Sequence, residues 1–391
     1  MLFKSSACLT AALSVVSAFS IPSFEDFAID SGLALSGLNS VALLKSYANF
    51  QGTCNPLNLK IRQEWRTLSK SKRREYIAAV KCVQAKPSNF GGSIPGAKSE
   101  FDDFVWIHLA QTMNIHLTGT FLTWHRYYIH VYEQKLQACG YNGNLPYWEW
   151  GLDVNSLKDS PVFDGSDTSM GSDGDYIVHE GLQLTLPGET APLILPPGTG
   201  GGCVTKGPFK DMKLHLGPVI MPVYGSPNTT GALDPSADNE RCLKRDLNSY
   251  ILKTYSSFRN TTKLITETTT METFQGVLQG DGRYTDTVSL GVHGGGHFSM
   301  GGDPGGDAFI SPNDPAFYLH HAQVDRLFWM WQMQDYNNRK NVAGNNFFFD
   351  LAPSAAVTVE DYINIAPLTS TQYKIKDLMN TVGGPFCYVY I

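Results

Sequence analysis

The chain has 391 residues, 42% of them hydrophobic, 17% charged and 12% aromatic, a composition that excludes disorder and supports a core with stacked rings. Its formal charge is −6, which argues against nucleic-acid and anionic-membrane partners and for a small or neutral one. Length permits two average domains or one large one.

Met1 to about Ser20 carries one lysine, Lys4, then an apolar run from Ala7 to Ala18, with Val16 and Ala18 in the small-residue pattern that signal peptidase reads. The expectation is a signal peptide over 1–18 and a secreted mature chain over 19–391. Removing Lys4 leaves 29 Lys and Arg against 36 Asp and Glu, or −7. No later stretch is long and apolar enough to span a membrane. Cleavage also removes Cys8 and leaves six cysteines, an even set for an oxidising compartment. Fifteen pairings are possible; the one expected joins Cys54 with Cys387, Cys82 with Cys139 and Cys203 with Cys242. Two sequons, at Asn228 and Asn260, fit a secretory route.

A first helical pattern follows Ser69, a potential N-cap, and runs through Tyr76, Ile77 and Val80 until Lys86-Pro87 stops it. A second spans Thr123 to Gln137, with Tyr128, Val131, Tyr132 and Leu136 at helical spacing and Cys139-Gly140 at its end. Asp153 to about Glu240 is rich in Gly, Pro, Asp and Ser and reads as loops pinned by a disulfide. The third helix is the clearest: Asp314 as cap, Pro315 at the first turn, and an apolar run from Phe317 to Met333.

Eight of the ten histidines fall in three windows: His108, His116, His125 and His130; His293 and His297; His320 and His321. His179 and His215 stand alone and read as satisfied core residues. His293 and His297 are four apart, which puts two imidazoles on one face of a helix. The intervening Gly294, Gly295 and Gly296 weaken that helix by roughly 1 kcal/mol each relative to alanine, so something must lie close to the backbone. No glutamate follows His293, so the metalloprotease motif lacks its base. A serine hydrolase is excluded because no complete Gly-x-Ser-x-Gly turn exists.

His321 continues the face of Phe317, Val324, Phe328 and Trp331 and is expected to point into the core, whereas His320 shares a mixed face with Ala316, Gln323 and Leu327. His125 shares a face with Phe121, Tyr128 and Tyr132; His130 does not. Thr118-Gly119-Thr120 breaks the chain after His116, so the approach of His108 and His116 depends on the fold. All-imidazole sites suit copper, zinc, iron or nickel. Two sites of three histidines, each with open positions, favour copper handling dioxygen over a closed structural zinc.

The run from His116 through Trp124-His125-Arg126-Tyr127, and the run Asp314-Pro315-Ala316-Phe317-Tyr318-Leu319-His320-His321 through Asp325-Arg326, resemble the two copper motifs of the tyrosinase and catechol oxidase family of coupled binuclear copper proteins. Arg62 to Ser69, Tyr76-Ile77 to Cys82 and Tyr388-Val389-Tyr390 resemble its short secreted fungal members, the last marking the end of their catalytic domain. The resemblance implies a mainly α fold with a four-helix bundle around two copper ions, long loops and few short strands. It implies His108, His116 and His125 on the first copper, His293, His297 and His321 on the second, and a single catalytic domain without the C-terminal lid of longer relatives. Asp325 and Asn313 become candidates for holding the imidazoles, and Gly294, Phe298 and Ala308 for lining the substrate pocket.

The activity implied is oxidation of o-diphenols to o-quinones, with dioxygen reduced to water. Fungal tyrosinases often carry a cysteine, thioether-bonded to the second ligand, where this chain has Asn114, so no such cross-link is expected. Efficient monophenol hydroxylases often place asparagine where Gly294 stands. Both departures favour catechol oxidation over a tyrosinase or o-aminophenol oxidase; a dioxygen carrier is the remote alternative.

Overall fold

The structure, a computed structural model, describes residues 23–185, 191–219, 231–351 and 354–391. The expected signal segment and the sequon at Asn228 lie outside them. Helices dominate: α1 (Phe24–Asp30), α2 (Leu33–Tyr47), α3 (Lys70–Ala85), α4 (Glu100–Ile115), α5 (Phe121–Ala138), α6 (Ser249–Tyr255), α7 (Phe258–Glu267), α8 (Met271–Gln279), α9 (Gly291–Met300), the short turn α10 (Gly302–Gly305) and α11 (Ala316–Gln334). Among the described residues strands occur only in two-stranded pairs. Among the described residues no single helix is long and apolar enough to cross a membrane.

The three expected helices form where their caps lie. Ser69 accepts from the Lys72 amide and opens α3, Cys139 closes α5, and the Asp314 carboxylate accepts from the Ala316 amide, 2.9 Å, at the start of α11. Helix α4, which the periodicity did not single out, starts at a capping box: Ser99 accepts from the Asp102 amide while Asp102 bonds back to the Ser99 amide. Helices α4, α5, α9 and α11 carry the clustered histidines and form the bundle core. Helix α11 is buried on every side from Ala316 to Met333, so the mixed face expected for His320 never meets solvent; its polar residues are consumed internally, Gln323 and Arg326 by Glu149.

All three disulfides pair as expected: Cys54–Cys387, Cys82–Cys139 and Cys203–Cys242. The second ties α3 to the end of α5. The first lies beside a parallel pair of strands, Lys60–Arg62 with Tyr388–Tyr390. There the Tyr388 and Tyr390 hydroxyls each donate to Asp325 at 2.6 Å, and Arg62 stacks over the Tyr388 ring at 3.7 Å. The region expected as loops holds short strand pairs, Gly174–Tyr176 with Gly201–Val204, Leu182–Leu184 with Leu193–Leu195, and Lys213–Leu214 with Arg241–Cys242. Just beyond that region, Arg245 grips Asp314 with two 2.7 Å bonds, both side chains fully buried, and so braces the start of α11.

Candidate metal centre

Helix α4 ends one residue before His116, whose extended backbone (φ −123°) turns its ring back toward α4. Leu117 then takes a positive φ of 49°, held by Gln279, which accepts its amide proton at 2.7 Å. This turn delivers His116 beside His108 of α4 and His125 of α5. The donor nitrogens of the three fall within 4.8 Å of one another, all buried. A second group joins His293 and His297 of α9 with His320 and His321 of α11.

The two groups abut. The His125 and His321 rings stack at 4.4 Å and 12°, and His116 lies 6.1 Å from His293. Phe317 packs on His321 at 4.1 Å and touches His108 and His297, Trp124 lies against His125 and Phe121 against His293. The frame is aromatic and largely buried.

In the first group every Nδ1 faces a backbone carbonyl: His108 that of Phe309 at 2.8 Å, His116 that of Thr112 at 3.1 Å, His125 that of Phe121 at 2.8 Å. A carbonyl only accepts, so each Nδ1 carries the proton and each Nε2 presents a lone pair. The Nε2 atoms of His108 and His125 are buried and meet no donor among the described residues. In the second group His297 Nε2 lies 3.1 Å from His293 Nε2 and 3.2 Å from His321 Nε2. Burial holds all six rings below the usual histidine range, His116 at about 4 and His297 at about 3, so the imidazoles are neutral where their nitrogens converge. A cation is the partner that satisfies such sets, and uncharged imidazoles are what a copper-type ion binds.

His320 is as buried as His321, so burial does not choose between them. His321 Nε2 lies 3.2 Å from His297 Nε2, while the His320 ring lies against His297 (4.2 Å), Trp150 (5.1 Å) and Gly296; both keep a nitrogen within the second group. A Cβ on Gly296 would run into the His320 ring, and one on Gly295 into Ser256 and Tyr255. The glycines of α9 therefore let α6 and α11 close on the histidine helix.

Several expectations are corrected. Asp325 bonds Arg126, Arg62 and the two C-terminal tyrosines, not an imidazole. Asn313 donates to the Leu216 carbonyl. The imidazoles of the first group are held by main-chain carbonyls, which no side-chain pattern can announce. His179 and His215 are partly exposed and paired with Asp246 (3.2 Å) and Asp238 (2.7 Å) rather than sealed in the core. His130 lies outside both groups, against Phe386 and Gln134. Gly294 and Phe298 are partly exposed on α9, and Ala308 is exposed in the loop before Phe309. A position missed in the sequence is Asp307: it accepts from the amides of Phe309 (2.9 Å) and Val219 (2.7 Å) and so steadies the carbonyl that faces His108.

The family model for the common central domain of tyrosinase matches residues 98–334. Tyrosinase P of Aspergillus terreus is 36% identical over 336 residues, 84% of this chain and 91% of that protein. Tyrosinase-like protein orsC of Emericella nidulans is 39% identical over 302 residues, 74% and 78%. N-acetyl-6-hydroxytryptophan oxidase ivoB of the same organism is 33% identical over 363 residues, 90% and 97%. Among solved structures, polyphenol oxidase of Thermothelomyces thermophila, a glycine-to-asparagine variant, superposes with a TM-score of 0.85 at 34% identity, covering 92% of this chain and 98% of that one. With the two histidine groups in place and more than half of its length matched, the chain belongs to the tyrosinase family of copper oxidoreductases.

Proposed function

We propose that the chain holds two copper ions, one on His108, His116 and His125 and one on His293, His297 and His321, and oxidises o-diphenols to o-quinones while dioxygen is reduced to water. The observation that carries this reading is the pair of abutting three-imidazole sets: the buried Nε2 lone pairs of His108 and His125 meet no proton donor among the described residues, and His297 Nε2 lies 3.1 and 3.2 Å from the Nε2 atoms of His293 and His321. Bound copper would supply dioxygen binding and the acceptance of two electrons from the ring. The chain's own work is geometric. Carbonyls of Phe309, Thr112 and Phe121 hold three rings in one tautomer, Phe317 and Trp124 exclude water, and the slightly exposed edge at His116, His293 and His297, 8% each against 2% or less for the other three, is where a phenol ring enters.

Diphenol oxidation is favoured over monophenol hydroxylation by Gly294, which offers no side chain to align a water that would deprotonate a phenol. Relatives described as tyrosinases and as a hydroxytryptophan oxidase favour the second reading, a monophenol or aminophenol oxidase. Oxygen uptake by the copper-loaded protein separates them: catechol is consumed, and tyrosine-like monophenols are turned over at least tenfold more slowly. Equal turnover would favour the second reading, and no turnover of either a carrier. The three disulfides and the N-terminal segment support secretion; N-terminal sequencing of the mature protein should begin after Ala18.

A further inference from the structure

On α9, Leu290, Gly294 and Phe298 lie at successive steps of four, a stripe adjoining that of His293 and His297. Its middle position has no side chain. Outside the helix backbone, the atoms within 4 Å of where a Gly294 Cβ would stand belong to Leu290, the nearest at 3.2 Å, so the glycine leaves an open notch one step around the helix from the slightly exposed His293 and His297. Both ends of the stripe belong to an apolar cluster separate from the main core. The other wall is the hairpin Leu182–Leu184 with Leu193–Leu195, whose register sets Leu182 opposite Leu195 and Leu184 opposite Leu193. All four leucines belong to that cluster with Leu290 and Phe298, together with Ile251 and Tyr255 of α6, while Ile194 is 62% exposed. Leu182 and Leu193 remain only partly buried, which leaves hydrocarbon surface at the notch.

We propose that this notch is a subsite for a hydrocarbon substituent on the phenol ring, so that the preferred substrates are o-diphenols with an apolar tail. The inference rests on the o-diphenol reading and adds the substrate class. A chain of a few methylenes entering from the ring would exchange water for Leu290, Phe298 and the hairpin leucines, and a charged tail of equal length would have to shed its hydration there.

The test compares 4-methylcatechol with 4-butylcatechol, whose rings are equally electron-rich, by initial oxygen uptake with the copper-loaded protein. The expected kcat/KM is about tenfold higher for the butyl compound, and 3-(3,4-dihydroxyphenyl)propionate loses that gain. Leu193→Ser should cut the butyl-to-methyl ratio at least threefold, whereas Ile194→Ser, on the outer face of the same hairpin, should leave it unchanged. Equal kcat/KM for the two catechols in the unmodified protein, or a ratio that shifts alike in both variants, overturns the subsite. The comparison in the unmodified protein decides on its own should Leu193→Ser fail to fold. Absence of turnover with either catechol is a different result, which overturns the o-diphenol reading and the subsite with it.

Discussion

Single residues divide between holding a metal and making room for it. His297 sits at the meeting point of three Nε2 atoms, so His297→Ala should remove copper from the second set and leave the first able to bind one ion. The check is metal content with paramagnetic resonance: a coupled pair is silent, whereas one copper left alone gives a signal. Full loading with two ions would contradict the assignment. His321→Ala should behave in the same way and His320→Ala should keep both ions, although the two neighbours are equally buried.

His130 offers a pH test away from the metal. Burial lowers it to about 4, so the folded protein keeps it neutral while the unfolded chain protonates near 6.5. Between those values the unfolded state binds the extra proton, and stability falls as pH falls, by roughly 3 kcal/mol in total from this residue. In urea titrations of the metal-free protein, His130→Gln should weaken the acid sensitivity by that amount; identical pH profiles would refute it.

At the scale of the element, α9 inverts ordinary helix energetics. Alanine for glycine in a helix interior gains about 1 kcal/mol, yet at Gly296 and Gly295 the added methyl meets a neighbouring ring or helix. Gly296→Ala is expected to lower stability by about 2 kcal/mol, because the added methyl runs into the buried His320 ring, while Gly294→Ala, with 3.2 Å to Leu290, is tolerated. Thermal melts of the two variants distinguish a tight crossing from a merely flexible helix. On α4 the capping box positions His108 two turns downstream, and Ser99→Ala should cost about 1 kcal/mol of unfolding free energy in urea titration. Helix α4 was not evident from periodicity because it is apolar on more than one face, with ten of its sixteen residues buried. The Ser99-to-Asp102 spacing was the available signal.

Over the whole molecule, charge is buried where chain segments distant in sequence must meet. Asp325 receives Arg62, Arg126 and two tyrosines from three parts of the chain, and burial without these partners would hold its carboxyl far above the value they impose. Asp325→Ala leaves Arg126 without a carboxylate partner and Arg62 with Glu133 alone, and should destabilise the protein by about 3–5 kcal/mol. Equilibrium unfolding measures it, and a change below 1 kcal/mol would mean that the cluster is not a structural anchor. Breaking the chain's connection at Cys54–Cys387 should act on the same end of the molecule, by freeing the strand that carries both tyrosines.

What the sequence determined is whatever depends on local spacing. Caps at Ser69 and Asp314, the face shared by His321 and Phe317, the four-residue step from His293 to His297, and the two long copper-motif runs are all read along one helix or one stretch of chain, because 3.6 residues per turn converts spacing into direction. The same logic gave the wrong surroundings for His320, since a helix buried all round has no mixed face to turn outward. Tertiary structure alone decided which atoms complete the site: the carbonyl of Phe309 reaches His108 across 201 positions, Asp325 belongs to the C-terminal strand rather than to an imidazole, and the glycines of α9 answer to α6 and α11. Backbone carbonyls are chemically identical at every position and close approaches join segments remote in sequence, so neither leaves a periodic trace; only the packed fold brings them within reach.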